Sequence, residues 1–246
     1  MRGRSLRKVA GLMMLTTMLV SGIAKVGPFS HSAAFPQAFE LFKAALTGKL
    51  SNTPTAATGW IPMGGSKGSP IRRQCAPVKV LVNTDLAPSG ALSDVKRALA
   101  IVSAASGVKW EFSGVTKQRP ELNRSPSQPV LISWEHGGAI DANGNTLVGV
   151  GESARSGPTK SSDGTHWSGG IAVFNVDQDS NYTAGFGIGR TRGAMLLHEL
   201  GHVAGLGHIS DPTSIMTPYS QVLSHAPTYG PGDVDGLRAI FLGCIR

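Results

Sequence analysis

Apolar positions change their spacing several times along the chain, and each spacing marks an element. Val78–Val82 reads as a strand. In Ser89–Ser106, Ala91, Leu92, Val95, Leu99 and Val102 fall on one side of a helix, and Gly107 is placed to end it. Val108–Phe112 and Val130–Trp134 are short strand patterns. DANGNT at Asp141–Thr146 is dense turn chemistry. Leu147–Val150 and Gly170–Val176 are two more short apolar strands, and Thr191–Ala204 and Gly232–Leu242 two further helices. The order β-α-β-β-β-β-α-α predicts one α/β (α+β) domain over residues 75–246. Its ~170 residues suffice for a single core.

Upstream the pattern weakens. Phe35, Phe39, Leu41, Phe42, Ala45 and Leu46 trace a rough helical face. Thr47–Pro70 is rich in Gly, Ser, Thr and Pro, includes GGSKGSP, and reads as flexible. Residues 25–74 are therefore expected to be a pro-segment or linker, with order resuming near Cys75. The first 24 residues follow another logic. Arg2, Arg4, Arg7 and Lys8 precede an uncharged run from Val9 to Ala24, where Gly22 and Ala24 suit a cleavage site. This is a secretory signal, with Ser32 and Ala34 offering a second site. The run is short for a ~30 Å hydrocarbon core, which disfavours the alternative of an uncleaved anchor at the cell surface. No later stretch reads as a membrane span.

Charge adds little once the signal is set aside. The formal +8 falls by the four cations of residues 1–24 to about +4. Basic side chains are scattered without interleaved aromatics, so nucleic-acid binding has no support. The 41% hydrophobic content excludes wholesale disorder, and two cysteines exclude a disulfide-dense miniprotein. Trp60, Trp110, Trp134 and Trp167 read as packing groups.

The chemistry is concentrated in MLLHELGHVAGLGHISDPTSIMTP. Its skeleton is H-E-x-x-H-x-x-G-x-x-H: His198, Glu199, His202, Gly205 and His208. Four residues apart on a helix, His198 and His202 share a face and can meet one Zn²⁺. Gly205 lets the helix end and the chain turn, bringing His208 in as third ligand. Three ligands leave an open position, the mark of a catalytic zinc site. Glu199, turned aside from the ligands, can reach a water at that position and serve as general base.

The extended motif with a downstream methionine resembles the metzincin zinc endopeptidases, and the spacing of Met216 in SIMTP resembles the Met-turn of the matrixins. GDVDGLRAIF resembles the last helix of a matrixin catalytic domain. The resemblance covers residues 75–246, with its specific motifs in the last 50. It implies a twisted, mainly parallel five-stranded sheet with three main helices and a zinc cleft at the sheet edge. It implies that Met216 floors the zinc and that Asp233 anchors the Met-turn. It puts the substrate-binding edge at Leu147–Gly151, including Gly149. It makes Pro218 and Tyr219 part of the wall of the main pocket, although Tyr219 stands one residue closer to the methionine than in the family. No cysteine-switch motif precedes the domain. His136, Asp141, Asp163 and His166 lack the family's structural-zinc spacing and read as solvated loop groups. Asp211 reads as a turn residue. Calcium is a family expectation that no residue pattern here indicates.

Cys75 and Cys244 bracket the expected domain, and an even pair in an exported protein is expected to bridge. The alternative is a Cys75 thiolate that blocks the zinc. The reading is thus a secreted, monomeric zinc endopeptidase acting on proteins or peptides by hydrolysis of internal bonds. The competing reading is a catalytically silent zinc-binding or adhesion protein on the same fold.

Overall fold

The structure is a computed structural model that describes residues 59–218 and 223–244. The signal, the helical face at 35–46 and Tyr219 lie outside the described residues. Strands β1 (Gly65–Ser66), β2 (Ser69–Pro70) and β3 (Arg72–Arg73) come first. Then follow β4 (Val78–Asn83), helix α1 (Ala91–Ser106), β5 (Trp110–Thr116), β6 (Val130–Glu135), β7 (Ala154–Lys160) and β8 (His166–Asn175). A 3₁₀ turn at Val176–Asn181 leads on to α2 (Arg192–Ala204) and α3 (Pro231–Ile240).

The long strands lie in the order β5-β4-β6-β8-β7. All pairings are parallel except β7 against β8, and two-residue β3 adds a parallel pair at the start of β8. The sheet is therefore mainly parallel, with five long strands and three main helices. Alternation along β8 explains how both faces are covered. Ala172 and Phe174 enter the main core with Val95, Leu99, Leu197 and Leu200 of the helices, while Ile171 and Val173 enter a smaller cluster on the other face.

That smaller cluster corrects one expectation. Leu147 and Val148 are not a strand; they are loop residues buried against Ile171 and Val173. Their apolar character plugs the helix-free face rather than building the sheet. The edge strand is β7, ARSGPTK, which has no apolar alternation. Pro158 lacks an N–H and is tolerated because β7 has a partner on one side only.

A second correction concerns residues 59–74. Trp60 is buried (8% exposed), and GGSKGSP folds into the β1–β2 hairpin around Gly65 at φ 78°. Arg73 is buried, pairs with no carboxylate among the described residues, and donates to the carbonyls of Val203 (2.6 Å), Ser168 (2.7 Å) and Gly169 (2.9 Å). Burial pushes its pKa down to about 9. The stretch reads as linker because its few apolar and cationic anchors are isolated in sequence, and only tertiary packing gives them partners. Cys75 and Cys244 form a disulfide, so Cys75 is not a free thiolate facing the metal site. Trp110, Trp134 and Trp167 are also buried, as expected of packing groups.

Candidate metal centre

Helix α2 builds the centre. Thr191 caps it, its hydroxyl accepting from the Ala194 N–H at 3.2 Å. Gly205 ends it at φ 119°, and a Cβ there would also press on the Trp167 ring at 2.9 Å. The chain then turns back, so that His198, His202 and His208 converge. Their Nε2 atoms lie 3.0–3.1 Å apart.

Hydrogen bonds identify the chemistry of this cluster. His198 Nδ1 lies 2.7 Å from the Ile215 carbonyl, and His202 Nδ1 lies 2.8 Å from the Leu206 carbonyl. A carbonyl only accepts, so each Nδ1 carries the proton and each Nε2 keeps its lone pair. The lone pairs of His198 and His202, facing one another at 3.1 Å, cannot bond mutually; a shared cation satisfies them. Burial also lowers the proton affinity of all three rings. For His202, burial and then neighbouring His198 push the pKa down to about 4. The rings are neutral at pH 7, the form that binds metal. The donor set therefore fits a Zn²⁺ ion. Among the described residues, no other group of three or more metal-capable side chains converges.

Glu199 is buried (7% exposed) beside the histidines. Its Oε2 accepts from the Ser156 hydroxyl at 2.6 Å. Burial raises its pKa, opposed by His202 and by the Ser156 hydrogen bond. A cleft of about 520 Å³ runs past these groups, lined also by residues 152–156, Met63, Gly207, His208 and Pro218.

The loop beneath is held from α3. Asp233 (1% exposed) accepts from Ser214 Oγ at 2.6 Å, Ile215 N at 3.2 Å and Gly230 N at 2.9 Å. Met216 follows and packs so closely under α2 that a Cβ on Gly201 would collide with its sulfur. The same loop presents the Ile215 carbonyl to His198. We expect Asp233→Ala, which leaves two buried donors and one half-buried donor without their acceptor, to cost about 3 kcal/mol. A denaturant midpoint lowered at constant m-value would show it, and Asp233→Asn should lose less.

Of the residues singled out from sequence, His198, Glu199, His202, His208 and Pro218 line one cleft. Met216 lies beneath it. Gly149 does not line it; its N–H donates to Glu152 Oε2 at 2.9 Å in the turn before β7. His136 pairs with Asp177 at 2.7 Å. Asp141 closes its own turn onto Asn143 and Asn145, Asp163 accepts from Thr165 N in the β7–β8 turn, and His166 opens β8. Asp211 is a turn residue that accepts from Thr213 N at 2.9 Å. Sequence reasoning missed Ser156 and Met63, which no motif marks. It also missed Tyr229, whose hydroxyl donates to the Leu197 carbonyl at 2.7 Å and ties α2 to the chain before α3.

Fold and site together define an α/β domain with a candidate metal centre in a cleft beside its antiparallel edge strand. The matrixin family model matches residues 158–242, from within β7 to just past α3. Matrilysin of Felis catus is 39% identical over 74 residues, 30% of this chain and 28% of the relative. Matrilysin of Homo sapiens is 42% identical over 70 residues, 28% of this chain and 22% of the relative. The chain thus spans about a quarter of the length of these relatives. Over this region the chain is similar to the matrixins.

Proposed function

We propose that this protein is a secreted zinc endopeptidase that cuts internal peptide bonds of proteins or peptides and acts as a monomer. The observation that supports it most is the convergence of three neutral imidazoles and a buried carboxylate in one cleft of a matrixin-like domain. His198, His202 and His208 hold the zinc, which when bound supplies Lewis-acid chemistry, polarising a carbonyl and rendering water acidic enough to attack. Glu199 takes the proton of the attacking water and delivers it to the leaving amine. Burial makes its carboxylate a stronger base, and Ser156 holds the carboxylate in place. The substrate lies along the free edge of β7, where backbone hydrogen bonds supply affinity. Pro218 borders the main pocket and Met216 supports the metal from below. Secretion rests on the basic, apolar and small-residue pattern of residues 1–24. No helix among the described residues is long and apolar enough to cross a membrane.

The test is digestion of a peptide mixture by the full chain, secreted from an oxidising host and loaded with zinc, beside Glu199→Ala. Cleavage by the parent should fall by about 10²–10⁴-fold in the variant at equal zinc content. Zinc bound by both with cleavage by neither would replace this reading with that of a silent metal-binding or adhesion protein.

A further inference from the structure

We infer that Met63 is a specificity-determining wall of the cleft, selecting an apolar side chain on the acyl side of the cut bond; the inference rests on the peptidase reading above. The segment before the β1–β2 hairpin is laced to the loop that carries His208. Met63 N–H donates to the Gly205 carbonyl at 2.7 Å, Gly207 N–H donates to the Ile61 carbonyl at 2.6 Å, and Pro62 bridges Leu206 in antiparallel fashion. Trp60 anchors the segment from below, packed where a Cβ on Gly236 would strike it at 2.8 Å. The wall is therefore fixed rather than swinging.

Ile61 and Met63 flank the bridged Pro62. Both are partly exposed, Ile61 at 50% and Met63 at 44%. Met63 approaches β7. Its Cε stands 3.9 Å from the place a Cβ on Gly157 would occupy, and Gly157 contributes no side chain of its own. The thioether and the His208 ring thus bound one end of the same cleft.

The direction of β7 assigns the side. Ser156 touches Glu199, which fixes the level of the reacting bond. Met63 stands one residue further along the strand, at Gly157. A peptide pairing antiparallel to β7, the commoner arrangement, runs from the Lys160 end toward the Ala154 end. The residues that precede its scissile bond pass Met63. A flexible, polarisable thioether accommodates apolar side chains of varied shape and gives a buried charge no partner.

The experiment compares the full-length parent with Met63→Ala, Met63→Leu and Met63→Glu on one peptide mixture, reading both new ends by mass spectrometry. The parent should enrich apolar residues at one acyl-side position. Met63→Leu should keep that profile, Met63→Ala should lower kcat/KM for those peptides about tenfold, and Met63→Glu should shift the position toward basic residues. Preferences on the amine side should not move. An acyl-side profile untouched by Met63→Glu and Met63→Ala in a protein that cuts, or a change confined to the amine side, overturns the assignment of Met63 alone. A zinc-loaded parent that cuts nothing overturns the peptidase reading and this inference with it.

Discussion

His202→Ala should release the metal and take all cleavage with it, a loss exceeding the ~10²–10⁴-fold expected at Glu199. His202 is the most buried of the three candidate ligands. It is buried on the last turn of α2, and its Nδ1 is committed to the Leu206 carbonyl, so ring rotation cannot substitute another donor. Two remaining imidazoles leave the ion without the set that a catalytic zinc site requires. Zinc affinity should fall more than about a hundredfold, read by competition with a chromogenic chelator. A variant that retains zinc one to one and still cuts peptides would remove His198, His202 and His208 from the proposed centre.

The same residue predicts a pH signature in protein stripped of metal. His202 titrates near 6.5 when unfolded and at about 4 when folded, because burial disfavours the charged ring. Between those values the unfolded state binds more protons, so stability rises with pH. The contribution is fully present above about pH 6.5 and is lost as pH falls toward 4. His202→Ala should flatten this slope between pH 7.5 and 5 in denaturant titrations. His198 and His208 are shifted in the same direction, so the slope should shrink rather than vanish. An unchanged slope would place the acid sensitivity elsewhere.

How far the centre was legible in sequence depends on whether a residue acts through its neighbours in the chain or across the fold. His198, Glu199, His202 and Gly205 lie within one helix and its exit, where a fixed rise converts spacing into geometry. Strands β4, β6 and β8 could be read because each carries a short, mostly apolar run that is buried over most of its length, with Lys79 the exposed exception in β4 and His166 in β8. β7 could not, because an edge strand facing solvent and substrate needs no apolar alternation and can carry Gly157 and Pro158. Leu147 and Val148 misled for the converse reason: burial marked them, but they cover a sheet rather than join it. Ser156 and Met63 are 43 and 136 residues away from Glu199 in the chain, and only the fold gives them neighbours in the cleft.

The second large effect should come from Cys75 and Cys244. Replacing both by serine should lower stability by about 5 kcal/mol, the nominal chain-entropy value for a bridge spanning 169 residues. That is comparable to the whole stability of many domains, so the variant should be close to its unfolding threshold at 37 °C. The loss should be uneven. Cys244 follows α3 and its C-cap Phe241, which is fully buried and meets Trp110 edge-on at 6.4 Å. Hydrophobic packing therefore holds the helix even without the bridge, and fraying should start at its C-terminal end. Cys75 follows Arg73, whose bond to the Val203 carbonyl secures the last turn of α2. The bridge thus couples two supports of the metal centre: Arg73 under α2, and Asp233 of α3 under the Met216 loop. Hydrogen exchange should accelerate first after Ile240 and then in the segment from Ser214 to Met216, before the middle of α2 is affected. If the denaturant midpoint of the double serine variant matched that of the parent, the bridge would have no energetic role, and packing of Phe241 and Asp233 alone would hold the C-terminal helix against the sheet.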